Sequence, residues 1–200
     1  IPLHYIQPLK EHLAEMIEQD VIEGPLSEEE EGYLTLSLQI RSGRAPMRRA
    51  GGPISAPTWT CAPLNTFIYQ THEPIPTPEE LRHNLRGSNK YSSLDMIHSF
   101  HQFELMDEAK KLFCFRAPGG LFMFKRLCMG SSPASSEAHK RVKKVVARLE
   151  GVLQIKDDVL VHGMDEEHDR RLRAVLERFR EAGLTLRREK CHLGKAAGLA

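Results

Sequence analysis

The sequence lacks several features that define other classes of protein. It contains no apolar run approaching the roughly 20 residues of a membrane-spanning helix, and no signal-peptide pattern. Its four cysteines include no Cys-x-x-Cys pair, which argues against a zinc site or a disulfide framework. Neither sign of charge dominates, since the chain has 28 Lys and Arg residues and 27 Asp and Glu residues. The composition therefore predicts an intracellular protein of a reducing compartment that does not enter a membrane.

Charge is uneven along the chain although its sum is close to zero. Acidic residues concentrate at 28–31 and 165–169, and basic residues at 140–144 and 187–190. Local basic clusters bind phosphates even in proteins of low net charge, but they also form ordinary solvated helix faces. Phosphate binding and a solvated helix face both stay open for these clusters. The sequence does not indicate the oligomeric state.

The first third of the chain carries few signals of regular structure. Apolar spacing predicts a helix over residues 4–20 that ends before Gly24-Pro25, and a loose strand over residues 33–40. Residues 41–63 are rich in Gly, Pro, Ala and Arg and show no periodicity. We therefore expect this stretch to be the least structured part of the chain.

The rest of the chain alternates hairpin and helix signals. Thr77, Pro78 and Glu80 predict the start of a helix with a capping box. Ser132 predicts the cap of a second, long helix, with Pro133 at its first position. Further predicted elements are a strand that ends at Asp95, a hairpin over 112–125, a helix from Asp165 to Gly183 and a strand at 184–186. This order predicts an α+β fold with an antiparallel sheet backed by two helices.

Two adjacent carboxylates, Asp157 and Asp158, interrupt the β-prone segment 155–161. Neighbouring strand residues point to opposite faces, so both acids cannot face solvent while the flanking apolar residues stay buried. A tight turn at the pair, with arms 152–156 and 159–162, places both carboxylates at a hairpin tip. Such a concentration of negative charge is typical of a cation site, although Asp-Asp pairs also occur in solvated turns.

A third acid, Asp95, ends the short β-prone run 91–95. Three aspartates at the ends of two adjacent strands would hold two divalent metals roughly 3.5–4 Å apart, an arrangement used in phosphoryl transfer. We expect two Mg²⁺ ions, with Mn²⁺ as a substitute, because magnesium prefers carboxylates together with substrate phosphate.

Several ordered motifs around these acids carry a family resemblance. They are Pro74-Ile75-Pro76-Thr77-Pro78-Glu79-Glu80-Leu81, Tyr91-Ser92-Ser93-Leu94-Asp95, His101-Gln102-Phe103-Glu104-Leu105, the stretch from Phe124 to Ala134, Ile155-Lys156-Asp157-Asp158 and the stretch from Gly183 to Cys191. From about Glu73 to Gly194 the chain resembles the reverse transcriptases of gypsy-type LTR retrotransposons. The resemblance implies a polymerase palm with part of the fingers.

The resemblance also implies roles for residues near the acids. Asp95 and Asp157 would carry most of the metal coordination, with Asp158 less directly involved and the Met96 carbonyl as a further ligand. The implied nucleotide-binding residues are Phe100, Met129, Gly130 and Lys190, and the implied nucleic-acid contacts are Ile155, Lys156, Ser131 and Ser132. Ordinary packing remains an alternative for Phe100 and for the motif at residues 129–133, and simple solvation remains one for Lys190. The expected partners are an RNA or DNA template–primer and a dNTP.

Two departures from the family pattern affect the expected activity. Ile155 stands where the family usually has Tyr, which weakens an expected contact with template or primer. Before Pro63-Leu64-Asn65, the expected basic and acidic residues are missing, and Ala56, Thr60 and Ala62 stand at such positions. We hypothesise that roughly residues 34–62 are translated from a shifted reading frame, which would impair nucleotide binding.

The expected organisation is a fragment of a longer polyprotein. It comprises an N-terminal helix with a degenerate fingers segment (residues 1–72), a reverse transcriptase palm (73–194) and the truncated start of a following segment (195–200). The expected function is that of an RNA-directed DNA polymerase domain, impaired in this copy. The alternative is an inactive retroelement relic that at most binds nucleic acid. A metal-dependent nuclease would use similar carboxylates, but the motif order argues against it.

Overall fold

The computed structural model describes residues 3–27, 37–49, 52–69, 73–74 and 76–196, with the backbone alone for 3–5, 37–49, 52–60 and 63. The helices are α1 (Leu3–Glu18), α2 (Ala62–Asn65), α3 (Pro78–Asn84), α4 (Asp107–Lys110), α5 (Ala134–Val145) and α6 (Asp165–Glu181). The strands are β1 (Ile22–Glu23), β2 (Ser37–Arg49), β3 (Gly52–Thr60), β4 (Lys90–Asp95), β5 (Cys114–Ala117), β6 (Gly120–Phe124), β7 (Val152–Ile155), β8 (Asp158–Gly163) and β9 (His192–Ala196). Short 3₁₀ turns span Ser99–Gln102 and Arg188–Lys190. Outside the described residues lie the acidic cluster at 28–31, the first residues of the predicted strand 33–40 and the last four residues of the chain.

The chain divides into two compact units. Unit 1 contains residues 1–70 and 103–134, and unit 2 contains residues 71–102 and 135–200. Residues 103–134 therefore pack with the N-terminal part of the chain, although they follow β4 in sequence. The borders expected at residues 72 and 194 stay a prediction.

Unit 1 is built on a five-stranded sheet in the order β1-β6-β5-β2-β3. All its pairings are antiparallel except that of β2 with β5. Helix α1 contributes Leu9, Leu13 and Met16, whose spacing of four and three residues puts them on one helix face. They join the phenylalanines of β5 and β6 in one core, which also contains Cys61 and Cys128.

Helix α1 ends at Glu18, two residues before the predicted end at residue 20. Asp20 adopts a positive φ of 56°, and Val21 N–H donates to Met16 O at 2.9 Å, which closes the last turn. The Asp20 side chain then accepts hydrogen bonds from Lys125 and from Arg126 Nη2, the latter at 3.1 Å. These hydrogen bonds, that of Lys125 above all, hold the pKa of Asp20 below its ordinary value.

The prediction for residues 41–63 was wrong, because the backbone there forms the hairpin β2–β3. Its register runs from Gln39 opposite Thr60 to Arg49 opposite Gly52, with an irregularity between Ser42 and Pro46. Backbone hydrogen bonds define this ladder, and they do not require the alternation of apolar side chains on which the prediction relied.

Unit 2 contains a four-stranded antiparallel sheet in the order β7-β8-β4-β9. Helix α6 packs against β8 and β4. Apolar residues from the sheet and α6 are fully buried, among them Leu94, Val159, Val161, Val175 and Phe179. The predicted α+β combination of an antiparallel sheet with helices is confirmed.

The predicted capping box is confirmed, but two other predicted boundaries need correction. In the capping box, Glu80 N–H donates to Thr77 Oγ1 at 3.2 Å and Thr77 N–H donates to the Glu80 carboxylate at 2.8 Å. Helix α5, however, begins at Ala134, two residues after the predicted cap Ser132, because a turn from Ser131 O to Ala134 N precedes it. The last strand is β9, not residues 184–186, of which Leu186 forms only an isolated bridge with Met96.

A buried polar link joins α6, β4 and β9. Ser92 Oγ lies 2.9 Å from His168 Nε2, and His168 Nδ1 lies 2.9 Å from the Asp169 carboxylate. Ser92 Oγ also accepts the Gly194 N–H at 2.9 Å, next to the point where the β4–β9 register shifts. Since Ser92 and His168 are almost completely buried, this Ser-His-Asp arrangement connects structural elements and is closed to substrates.

Candidate active site

The tip of the β7–β8 hairpin is a two-residue turn formed by Lys156 and Asp157. Ile155 and Asp158 are the last paired residues of the ladder, and Lys156 adopts a positive φ of 55°. The turn therefore lies one residue earlier than predicted. Asp157 belongs to the turn, whereas Asp158 is the first residue of β8. Ile155 and Lys156, both expected at the nucleic acid, flank the acids in this hairpin.

Two side chains hold the carbonyl of the turn residue Lys156. Gln154 Nε2 donates to Lys156 O at 3.3 Å, and His139 Nδ1 of α5 lies 3.3 Å from the same oxygen. Both side chains are largely buried. They fix the turn in which Asp157 lies.

Asp95, the last residue of β4, is the direct cross-strand partner of Asp158. Cross-strand partners lie on the same face of an antiparallel sheet. Arg187 N–H donates to Asp95 O at 2.8 Å, and Asp95 N–H donates to Cys191 Sγ at 3.4 Å. Because both backbone groups of Asp95 point away from β8, the Asp95–Asp158 pair is of the non-hydrogen-bonded type, whose Cα atoms lie about 4.5 Å apart.

The electrostatics of the cluster act on Asp158. Loss of hydration raises the pKa of Asp158 above its ordinary value, and the charges of Asp95 and Asp157 raise it further, while Lys190 opposes the effect. A bound cation would relieve this repulsion among like charges. The donor set consists of hard carboxylate oxygens, which suit Mg²⁺ or Mn²⁺ better than a soft thiophilic metal.

The cluster is not a completed metal site. Across the described part of the chain, no three His, Cys, Asp or Glu side chains are arranged so that they could hold an ion together. The register brings Asp95 and Asp158 together and leaves Asp157 in the adjoining turn.

The segment from Arg187 to Cys191 borders Asp95 on the side opposite β8. Besides the two backbone contacts, Lys190 Nζ lies 3.9 Å from Asp95 Oδ2, and the Lys190 side chain is 57% exposed. The described contact of Lys190 is with Asp95, and its predicted place near a triphosphate stays a prediction. Cys191 was not among the predicted site residues. Its only signal in the sequence was its place beside Lys190 in the family's Arg-Glu-Lys-Cys string.

Met96 and Phe100 follow Asp95 in the chain. Met96 is buried and forms an antiparallel bridge with Leu186. Phe100 is half-buried in the 3₁₀ turn Ser99–Gln102. The amide of Gln102 anchors this turn, because it donates to Thr185 O and accepts from Thr185 N–H, both at 2.9 Å.

The predicted residues 129–132 belong to unit 1. Met129 is 56% exposed and Gly130 has a positive φ of 95°, so glycine suits this position. Asn65 Nδ2 donates to Gly130 O at 2.9 Å, and Asn65 Oδ1 accepts from Ser132 N–H at 2.8 Å. Ser131 is buried, and its hydroxyl contacts Cys128 O at 3.4 Å. Sequence reasoning identified Asn65 only as a family remnant and missed this contact.

Comparison with known families gives the class of protein. The sequence profile described as "Reverse transcriptase (RNA-dependent DNA polymerase)" matches residues 51–197. This match covers well over half of the chain, so the chain belongs to the reverse transcriptase family, whose enzymes are RNA-directed DNA polymerases that use divalent metals.

Similar proteins include retrotransposon polyproteins. The chain is 35% identical over 132 residues to the uncharacterized protein K02A2.6 of Caenorhabditis elegans, a match that covers 66% of this chain and 10% of the relative. It is 26% identical over 132 residues to the transposon Tf2-3 polyprotein of Schizosaccharomyces pombe, covering 64% and 10% respectively. The chain thus spans about a tenth of the length of these curated relatives.

Solved structures of foamy virus reverse transcriptases share the fold. A foamy viral protease-reverse transcriptase in complex with an RNA/DNA hybrid matches with a TM-score of 0.77 at 15% identity, over 96% of this chain and 25% of that one. A prototype foamy virus protease-reverse transcriptase mutant matches with a TM-score of 0.77 at 17% identity, over 96% and 24%. The α+β fold is therefore that of a reverse transcriptase. No helix in the described residues has the length and apolar character to cross a membrane.

Proposed function

We propose that this chain is the polymerase part of a gypsy-type LTR retrotransposon polyprotein. Its reaction would be attack of a primer 3′-hydroxyl on the α-phosphate of a dNTP, directed by an RNA or DNA template, with release of pyrophosphate. The observation that carries the proposal is the cross-strand pairing of Asp95 with Asp158 beside Asp157 in the turn. Free cysteines throughout support a reducing, intracellular setting.

The residues that would hold two Mg²⁺ or Mn²⁺ ions are Asp95, Asp157 and Asp158, with the Met96 carbonyl as a further oxygen ligand. The two hydrogen bonds of the Met96–Leu186 bridge are made by neighbours, since Ile97 N–H donates to Thr185 O and Arg187 N–H to Asp95 O. The Met96 carbonyl is not used in them, which supports its role as a ligand. When bound, the metals would neutralise the triphosphate and favour loss of the proton from the primer hydroxyl.

The family's nucleotide contacts would fall on Phe100, Met129, Gly130 and Lys190. The Phe100 ring would exclude a ribose 2′-hydroxyl and thereby select deoxynucleotides. The positive φ of Gly130 supports a close backbone approach, and the exposed Lys190 ammonium supports a role as proton donor near the triphosphate.

Contacts with template and primer would come from Ile155 and Lys156 at the hairpin tip and from Ser131 and Ser132. Lys156 is exposed, which supports contact with a phosphate. We assign the palm to residues 73–194 and the fingers remnant to residues 1–72.

A catalytically inactive relic that binds nucleic acid is the second candidate. It is favoured by the missing family residues before Pro63-Leu64-Asn65. If residues 34–62 arise from a shifted reading frame, another frame of the gene should encode the missing motif, and its absence would reject that explanation.

Primer extension separates the two candidates. The assay uses the whole chain, an oligo(dT)-primed RNA template, dTTP, and Mg²⁺ or Mn²⁺. The proposal predicts incorporation that is abolished in Asp157→Asn and retained in Asp107→Asn, a matched control because Asp107 is 87% exposed on α4. Binding of the template without incorporation by the wild-type chain would support the relic.

A further inference from the structure

The backbone of Asp95 is held by a segment outside the β-ladder. The pairing of β9 with β4 ends at Ser93, which faces His192, so β9 does not continue alongside Asp95. Residues 187–191 take its place, with Arg187 N–H on the Asp95 carbonyl and Cys191 Sγ on the Asp95 N–H. At Asp95, the candidate metal ligand at the end of β4, residues 187–191 therefore take the place of β9 as the neighbouring segment.

The Cys191 thiol contacts both backbone groups of Asp95. Its Sγ accepts the Asp95 N–H at 3.4 Å, and its S–H donates to Asp95 O, with 3.8 Å between Sγ and that oxygen. Lys190, the preceding residue, approaches the carboxylate of Asp95 at 3.9 Å. One short segment therefore contacts the N–H, the carbonyl and the carboxylate of the same residue, and Asp95 in turn faces Asp158.

We propose that Cys191 is a positioning residue for Asp95, a role that rests on the proposed function of Asp95 as a metal ligand. The thiol sets the backbone of Asp95 and so fixes the direction in which its carboxylate leaves the end of β4. Groups that orient a metal ligand affect metal affinity strongly even though they do not touch the metal. Serine keeps a hydrogen-bond donor and acceptor at this position, although its Cβ–O bond is shorter than the Cβ–S bond of cysteine. Alanine removes both the donor and the acceptor.

The first measurement tests the contact itself, without metal. Amide hydrogen exchange of Asp95 is followed by NMR in the wild type, Cys191→Ala, Cys191→Ser and Cys114→Ala. Cys114 is the matched control, because its thiol contacts the carbonyls of Lys110 and Lys111 in unit 1. The inference predicts severalfold faster exchange of the Asp95 amide in Cys191→Ala, partial recovery in Cys191→Ser and no change in Cys114→Ala. Unchanged exchange in Cys191→Ala overturns it, whatever the protein does with metals.

The second measurement tests the consequence for the metal. Mn²⁺ affinity is measured by the EPR signal of free Mn²⁺, together with the midpoint of thermal unfolding. The inference predicts an affinity about tenfold weaker in Cys191→Ala and largely recovered in Cys191→Ser. A lowered unfolding midpoint with wild-type Mn²⁺ affinity would show a merely structural cysteine and overturn the inference. If Asp95→Asn binds Mn²⁺ as the wild type does, the proposed function of Asp95 fails instead, while the exchange experiment still decides whether Cys191 holds the backbone.

Discussion

Asp95 and Asp158 face each other across β4 and β8 as a non-hydrogen-bonded pair, the closer of the two pairings in an antiparallel ladder. Like charges directly opposite one another destabilise a sheet. Loss of hydration first, and then the charges of Asp95 and of Asp157 in the adjoining turn, raise the pKa of Asp158 and so make its ionised form costly to the metal-free protein. The cost is typical of a functional site.

Asp158→Asn should therefore stabilise the metal-free protein while it lowers polymerase activity. The neutral amide removes the repulsion from Asp95 and Asp157, and we expect a gain below about 1 kcal/mol because exposed charges are screened. Urea denaturation in EDTA measures the gain. Mg²⁺ should narrow the difference, because it binds the folded wild type more tightly than the variant. A less stable variant in EDTA would contradict this account of the cluster.

His168→Ala should destabilise the protein strongly. His168 is fully buried and connects Ser92 to Asp169, so its loss leaves a cavity and a buried hydroxyl with fewer partners. We expect a cost of about 2–4 kcal/mol in the free energy of unfolding. His83→Ala, at an exposed position of helix α3, is the control and should change the free energy little. Equal stability of both variants would show that the link contributes nothing.

Asp20 gives unit 1 a pH-dependent contribution to stability. Lys125 and then Arg126 lower its pKa in the folded state below the ordinary 3.8, so the unfolded chain binds the proton more tightly. The stabilisation is therefore present above the unfolded pKa and is lost as pH falls through the folded value. Asp20→Asn should be less stable than the wild type at pH 7, by less than about 1 kcal/mol, with the difference shrinking below pH ~4. A difference that is the same at pH 7 and pH 3 would exclude this ion pair as its cause.

Asn65→Ala should loosen the loop around Gly130. Its amide bonds both Gly130 O and Ser132 N–H, and we expect a loss of about 1–2 kcal/mol in stability when these groups lose their partner. Faster amide exchange at Ser132 should accompany it. Asn84→Ala, at the exposed end of α3, is the matched control. If Ser132 exchanges at the wild-type rate in Asn65→Ala, the amide does not hold this loop.

Local rules predicted much of the fold. The capping box at Thr77, the hairpin around Gly119 and the Asp-Asp hairpin, the last displaced by one residue, all follow from short-range turn and cap chemistry. Strand β9 was missed because its five residues are exposed and carry no apolar alternation.

Several contacts of the fold and of the candidate site join residues that are distant in sequence. Asn65 with Gly130, Ser92 with His168, and Asp95 with Cys191 are 65, 76 and 96 residues apart. No periodicity encodes such pairs, because each depends on which strands become neighbours. Family motifs identified the acids, whereas the groups that hold them became visible only in the structure.

The most direct test of the account is the anomalous diffraction of a crystal of this chain soaked with Mn²⁺. We predict a peak at about 2.1 Å from carboxylate oxygens of Asp95 and of the 157–158 pair. The same soak of an Asp95→Asn crystal should weaken or remove it. A wild-type crystal with no peak at these carboxylates, or with one that Asp95→Asn leaves unchanged, would contradict the claim that these acids form the metal centre of a polymerase.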